Sequence, residues 1–383
     1  MEVEKDTLGM LDLMIRPGFC VKENKIVKVN QAAESFLLIP GTDVKDLLLT
    51  GQEEYREFTG GCLYLTLSLA GHSVSASVTR LDDTDVFVIE QDADERELRS
   101  MALAAQGLRE PLANVMATAN GLFPLCTAQE DPQTQKQVAR MNRGLFQILR
   151  VIGNMSDASR YAASSRQETL AIASEFDEIF EKAQAAIAHT GIRLRYTGLQ
   201  ESLYCLGDKE QLERAVLNIL SNALKFTEKN GTIDATLTHR GRMLRLSVQD
   251  DGSGISDSVR ANIFHRHLRQ PGIEDGRFGL GLGMVLIRSV AANHGGTVLI
   301  DQPEGQGTRI TMTMALRQNS GNVLRCPVPR VDYAGGYDHT LLELSDCLPP
   351  IQFPGTTVRC TARFIRAEAA GSLQLTVHSP CEA

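Results

Sequence analysis

Between Leu98 and Met155 apolar residues recur at alternating steps of three and four, which places them along one side of a helix. Leu98, Met101, Ala105, Leu108, Leu112, Val115, Ala119 and Leu122 form one stripe. The pattern breaks at Asp131-Pro132, where aspartate can cap and proline can open a helix, and resumes with Val138, Met141, Leu145, Ile148, Ile152 and Met155. Two such helices in one chain leave their seams half exposed, whereas a second copy closes a four-helix bundle. A homodimer is therefore expected. Pro111 removes a helix hydrogen bond inside the first stripe and predicts a bend there.

Before this region, from about residue 8 to 90, short apolar runs alternate with turn residues, as in CVKENKIVKVN, CLYLTLSLAG and HSVSASVTRLDDTDVFVIEQ. That is the period of strands. The stretch KIVKVNQAAESFL, Ile26 to Leu37, resembles the strand running into short helices of a PAS sensor domain, and a generic α/β dimerisation domain is the alternative. With 383 residues the chain can hold two or three domains, each with its own core. A formal charge of -8 opposes a phosphate backbone and no basic patch stands out, so nucleic acid is not an expected partner. Eight cysteines are scattered without a C-x-x-C pair, which argues against a zinc site or a disulfide framework and for a reducing cytosol. The first residues are acidic and lack the run of a signal peptide, and no apolar stretch reaches membrane-spanning length. The expectation is a cytoplasmic protein without an integral membrane segment.

Three short motifs follow one another inside about seventy residues: NILSNALKFT from Asn218, DDGSGI from Asp250 and GLGLGM from Gly279. The first sits in a segment that Asp208 and Gln211 open as a capping box, with Leu212, Val216, Ile219, Ala223 and Phe226 on one helical face. Asn218 and Asn222 are four apart, so both carboxamides project from the same side of that helix. Alone, they read as an ordinary amphipathic helix whose asparagines face water. Asp250 heads D-x-G-x-G after an alternating strand. An ionised carboxylate accepts hydrogen bonds only and can read the exocyclic amine of adenine, while Gly252 and Gly254 permit close approach to the ring. Gly279, Gly281 and Gly283 precede a helix through Met284 to His294, and backbone amides at a helix N-terminus form a phosphate site. Strands are expected at Ile233–Leu237, Leu244–Val248 and Ile310–Met314, with the second helix stopped by Gly295-Gly296.

The order and spacing of these motifs resemble the N, G1 and G2 boxes of the bacterial two-component sensor histidine kinases, in the wider ATPase family that includes gyrase B and Hsp90. The resemblance covers about residues 95 to 315. It implies an ATP and Mg2+ site with Asn222 as metal ligand, Lys225 as a point charge for phosphate, Asp250 at adenine, and Asn218, Gly252, Gly254, Gly279, Gly281, Gly283 and Thr308 around the nucleotide. Thr308 lies in EGQGTRITM, which is similar to the family's closing loop and strand. The F box departs from the family: IFHRHLRQ keeps Phe264 but has Arg266 and His267 at the other positions, leaving Arg269 as a lid arginine in reach of a γ-phosphate or in solvent. Asn218 stands where hydrolysing relatives carry a glutamate base, which disfavours steady ATP hydrolysis.

The hairpin departs further. Where the family has a pattern like H-E-L-R-T-P-L, the chain reads Gln106-Gly107-Leu108-Arg109-Glu110-Pro111-Leu112. The phosphoacceptor histidine is a glutamine, whose amide nitrogen is conjugated to its carbonyl and is no nucleophile. No histidine occurs between His72 and His189 to replace it. The expected fold is α+β, with a PAS-like sensor over 1–92, an antiparallel helical hairpin over 93–164 that forms a dimeric four-helix bundle, and an α/β-sandwich (Bergerat) ATP domain over 165–316. A C-terminal extension, 317–383, holds strand-like pieces such as TVRCTARFI and LQLTV and has no assigned function. Three functions stay open: a kinase acting in trans on a partner, an ATP-gated pseudokinase, and an assembly scaffold. Expected partners are a response regulator or another histidine kinase.

Overall fold

The computed structural model describes residues 9, 11–12, 14–81, 83–90, 92–127, 131–163, 168–201, 203–255, 282–303, 307–316, 334 and 336–354. Its N-terminal part is an antiparallel sheet of β1 (Gly18–Lys22), β2 (Lys25–Val29), β3 (Cys62–Leu69), β4 (His72–Leu81) and β5 (Thr84–Ile89), in the order β2-β1-β5-β4-β3. The first hairpin closes through Glu23 and Asn24, both at positive φ (49° and 63°), which matches the twist of its strands. A 3-10 turn, Gln31–Phe36, and the one-turn helix α1 (Gln52–Arg56) cover one face. Phe19 and Phe87 stack at 4.6 Å in the core beneath.

Two long helices follow, α2 (Asp92–Thr127) and α3 (Pro132–Ala163). Asp131 opens α3 by accepting from the amides of Gln133 and Thr134. Helix α2 runs through both Pro111 and Pro124. The first stripe divides by sevens: Leu98, Ala105, Leu112 and Ala119 are buried against the rest of the chain, whereas Leu108, Val115 and Leu122 are 50, 54 and 53% exposed. On α3 Val138 and Ile152 turn inward, and Met141 and Ile148 face out. One chain thus covers half of its own seam.

The third part contains β6 (Glu168–Ala171), α4 (Ile172–Ile187), β7 (Arg193–Thr197), β8 (Tyr204–Gly207), α5 (Lys209–Phe226), β9 (Thr232–Arg240) and β10 (Met243–Asp250). It continues with α6 (Leu282–Asn293), β11 (Val298–Asp301) and β12 (Arg309–Ala315). Strands β11, β12, β10, β9 and β7 pair in that order, and only β7 with β9 is parallel. Alternate residues Ile233, Ala235 and Leu237 of β9 and Leu244, Leu246 and Val248 of β10 enter the core under α5 and α6, the period-two pattern of a sheet covered on one face. Helix α6 ends at Gly295, at φ +68°, as its glycine pair predicts.

The two sheets are one. Strand β11 pairs with β3 through Val298–Tyr64, Leu299–Leu63 and Ile300–Cys62, which makes a ten-stranded sheet. Arg288 of α6 reinforces the junction by pairing with Glu90 and lying over the Tyr64 ring at 5.3 Å. The C-terminal extension is also built in. Helix α7 (His339–Glu343), capped by Asp338, and a 3-10 turn at Pro350–Gln352 pack against α3, α4 and α5. Leu342, Leu344, Leu348 and Phe353 join the core, and Phe146 sits edge-on between Tyr337 and Phe353 at 5.2 and 5.3 Å. The strand-like pieces after residue 355 lie outside the described residues. No helix among the described residues is long and apolar enough to cross a membrane.

Candidate nucleotide site

Helix α5 starts where Asp208 accepts from the Gln211 amide. The Gln211 side chain reaches across to the neighbouring helix. It accepts from Asn293 Nδ2 of α6, while the Asp208 amide donates to His294 Nε2 at 3.0 Å. The other ring nitrogen, Nδ1, lies 2.7 Å from the Val290 carbonyl, so the network assigns the hydrogen to Nδ1 and leaves Nε2 as acceptor. These bonds tie the start of α5 to the end of α6, fixing the two helices that carry the first and third motifs.

Asn218 is fully buried rather than facing water. Its Nδ2 donates to the Arg214 carbonyl at 2.9 Å and lies 3.3 Å from Glu343 Oε2, and its Oδ1 accepts from Arg150 Nη2 at 3.3 Å. Gly283 presses on the same side chain, since a Cβ there would stand 3.0 Å from Asn218 Oδ1. Asn222 is half-buried one turn on, with Nδ2 against Met284 Sδ at 3.4 Å. Lys225, on the last turn, pairs with Asp346 Oδ2 at 3.1 Å.

Asp250 ends β10 at the edge of this helix layer and is buried. One of its oxygens, Oδ1, accepts from the amides of Gly252 at 3.0 Å and Thr308 at 3.1 Å, and its own amide donates to the Thr308 carbonyl. Burial raises its carboxyl above the ordinary range, and the two amides work in the opposite direction. The loop needs glycine at 254, where φ is +73° and a Cβ would run into Gln302 and the Gly307 carbonyl.

Asn218, Asn222, Lys225, Asp250, Gly252, Gly254, Gly283 and Thr308 therefore lie on adjoining segments: α5, the loop after β10, the start of α6 and the start of β12. Gly279, Gly281, Arg269 and the departing F box lie outside the described residues. Gln106 is exposed on α2, as are Gly107 and Glu110. Sequence reasoning missed four charged residues at the site: Arg150, Arg214, Glu343 and Asp346. Arg214 had a visible signal, one turn before Asn218 on the same face. Glu343 and Asp346 had a fainter one, acids inside the apolar run LLELSDCL.

The family model for histidine kinase-, DNA gyrase B-, and HSP90-like ATPases matches residues 207–318. The chain is 27% identical over 254 residues to the adaptive-response sensory kinase SasA of Synechocystis sp., covering 63% of this chain and 66% of that one. It is 26% identical over 296 residues to the alginate biosynthesis sensor protein KinB of Pseudomonas aeruginosa, covering 75% and 48%. The chain spans between 44 and 66% of the length of the first curated relatives it matches. Among solved structures, full-length ShkA in complex with AMPPNP aligns over 58% of this chain and 47% of its own, at 21% identity and a TM-score of 0.44. Residues 207–318 thus match the ATPase domain shared by histidine kinases, DNA gyrase B and HSP90, and the chain is similar to sensor histidine kinases over a longer stretch.

Proposed function

We propose that the chain is a dimeric signal-transduction protein that binds magnesium-ATP and lacks an acceptor for the γ-phosphate on its own hairpin. The observation that carries the nucleotide reading is Asp250: a buried carboxylate, held through Oδ1 by two backbone amides, offers its second oxygen to an exocyclic amine. The chemistry of the other donors fits the rest of the ligand. The Asn222 carboxamide supplies one hard oxygen for magnesium, which takes its remaining ligands from phosphates and water. Lys225 supplies a compact charge for phosphate, with Gly279, Gly281, Gly283, Asn218, Thr308 and Arg269 around it. Asn218 is neutral and is no base for activating water, so the reading is ATP binding without steady hydrolysis.

Dimerisation is supported by the outward rows Leu108, Val115 and Leu122 on one helix and Met141 and Ile148 on the next. Each row repeats at seven residues, so a second copy can close it into a four-helix bundle. The N-terminal sheet, with β2 leading into the Gln31–Phe36 turn, is in keeping with a PAS-like sensor over 1–92, followed by a hairpin over 93–164 and an ATP domain over 165–316. Cys20 and Cys205 are free and buried, which suits a reducing cytoplasmic setting.

Between a pseudokinase and a kinase acting in trans, Gln106 favours the first. It is exposed in α2 at the acceptor position, in a hairpin whose sequence holds no histidine. The partner is then a response regulator or a second histidine kinase that reads the ATP-bound state. Calorimetric titration with magnesium-ATP tests the nucleotide reading. Binding that weakens in Asp250→Asn supports it, and an absence of heat in the parent at millimolar nucleotide ends it.

A further inference from the structure

Six charged side chains connect the hairpin, the ATP domain and the C-terminal extension. Arg214 pairs with Asp157 and, through Nε, with Glu343 Oε1 at 2.9 Å. Arg150 Nε lies 3.3 Å from Glu343 Oε2, and Arg150 Nη1 lies 2.5 Å from Asp346 Oδ2. Lys225 closes the chain on the same Asp346 oxygen at 3.1 Å. Helix α3 contributes one charge of each sign, Arg150 and Asp157. Helix α5 contributes two cations, Arg214 and Lys225, and the extension two anions, Glu343 and Asp346. The extension therefore supplies two of the three negative charges of this network.

Apolar contacts alone could have packed this segment, and a buried ion network is weak evidence for stability. Its distinguishing property is that the same donors fit phosphate: guanidinium takes carboxylate or phosphate oxygens through its planar fork, and ammonium takes either as a point charge. Glu343 also touches Asn218, and Cys347 Sγ donates to the Ser221 carbonyl at 3.5 Å, so the extension covers the face of α5 that runs from Arg214 to Lys225. Arg143, donating to the carbonyls of Ser345 and Asp346, and Asn142, donating to those of Phe353 and Pro354, fasten the segment to α3. Helix α3 is thereby held against the ATP domain.

We propose that residues 339–353 are an acidic latch that occupies the phosphate end of the nucleotide site, so that ATP phosphates and the Glu343 and Asp346 carboxylates exclude each other at Lys225 and Arg150. The proposal rests on the nucleotide reading above. ATP then drives the extension off α5, which removes the tie that the extension makes between α3 and the ATP domain. Binding also carries the cost of opening the latch, and the apparent affinity is reduced by the fraction of molecules already open.

The test is magnesium-ATP titration of the full chain and of Asp346→Asn, with amide hydrogen exchange of residues 339–353 read with and without nucleotide. The expected result is affinity about threefold to tenfold tighter in Asp346→Asn, and faster exchange across Leu342–Cys347 when ATP is added to the parent. Phe353→Ala loosens the segment from Phe146 without touching a charge and should tighten binding in the same direction, which covers the case of a poorly folded Asp346→Asn. Unchanged or weaker affinity in both variants, or exchange that slows on adding ATP, overturns the latch and leaves the nucleotide reading standing if the parent binds. No binding by the parent or either variant overturns both.

Discussion

Lys225 and Asp346 meet at 3.1 Å across the junction between the asparagine-bearing helix and the C-terminal extension. Burial works against the charge on Asp346, but Arg150 and Lys225, with Arg143 beyond them, hold its carboxyl below the ordinary aspartate range. A carboxyl whose folded value is depressed stabilises the fold above its unfolded value, about 3.9, and that contribution disappears as pH falls from there through the folded value. Docking of residues 339–353 should therefore hold at neutral pH and weaken only under strong acid. Exchange protection of Leu342–Cys347 that is lost already near pH 6 would contradict this pairing.

Asp250 behaves in the opposite sense. Its carboxyl is raised by burial, so the folded chain is favoured when the group is protonated and loses that advantage as pH rises through the raised value. Asp250→Asn keeps an acceptor for the Gly252 and Thr308 amides and removes the buried charge. At pH 7 the variant should be at least as stable as the parent in urea, yet bind ATP more weakly by about 1.5 to 3 kcal/mol, the worth of a charge-assisted hydrogen bond. Stability and affinity falling together would indicate a misfolded loop instead.

The exposed rows on the hairpin predict the oligomeric state. Val115 is 54% exposed and Ile148 50%, so aspartate at both positions meets water in the monomer but buries unpaired charge in a closed bundle. Val115→Asp with Ile148→Asp should sediment as a folded monomer with unchanged circular dichroism. The parent should sediment as a dimer at micromolar concentration, and a monomeric parent removes the bundle.

Gln106 predicts a negative result that a paired substitution can reverse. Phosphoryl transfer depends on a nucleophile held in line with the leaving group. Incubation with γ-labelled ATP should leave no acid-labile, base-stable phosphate on the hairpin of the parent. Gln106→His alone should recover little, because Gly107 offers no carboxylate to orient the imidazole, and Gln106→His with Gly107→Glu should recover more. Label on the unmodified hairpin would overturn the pseudokinase reading, and label only on an added partner would favour a kinase acting in trans.

Local rules made much of the scaffold legible. Steps of three and four placed two helices around Asp131-Pro132, alternation placed β9, β10 and β12, and Gly295-Gly296 stopped α6, because each depends on residues within a turn or two of one another. Asn218, Asp250 and Gly283 came into view together only through the family resemblance that their motif order carries, and they lie on adjoining segments of the fold. Tertiary structure alone decided which half of the first stripe turned inward, since Leu112 and Leu108 are the same residue type on one helix. It alone joined β3 to β11, a pairing between strands more than two hundred residues apart that no local pattern encodes. Charge partnership was equally hidden. In sequence Arg150, Arg214, Glu343 and Asp346 carried no assigned role, and only their meeting in one neutral network, drawn from three distant segments, couples the C-terminal extension to the helix that carries Asn218 and Lys225.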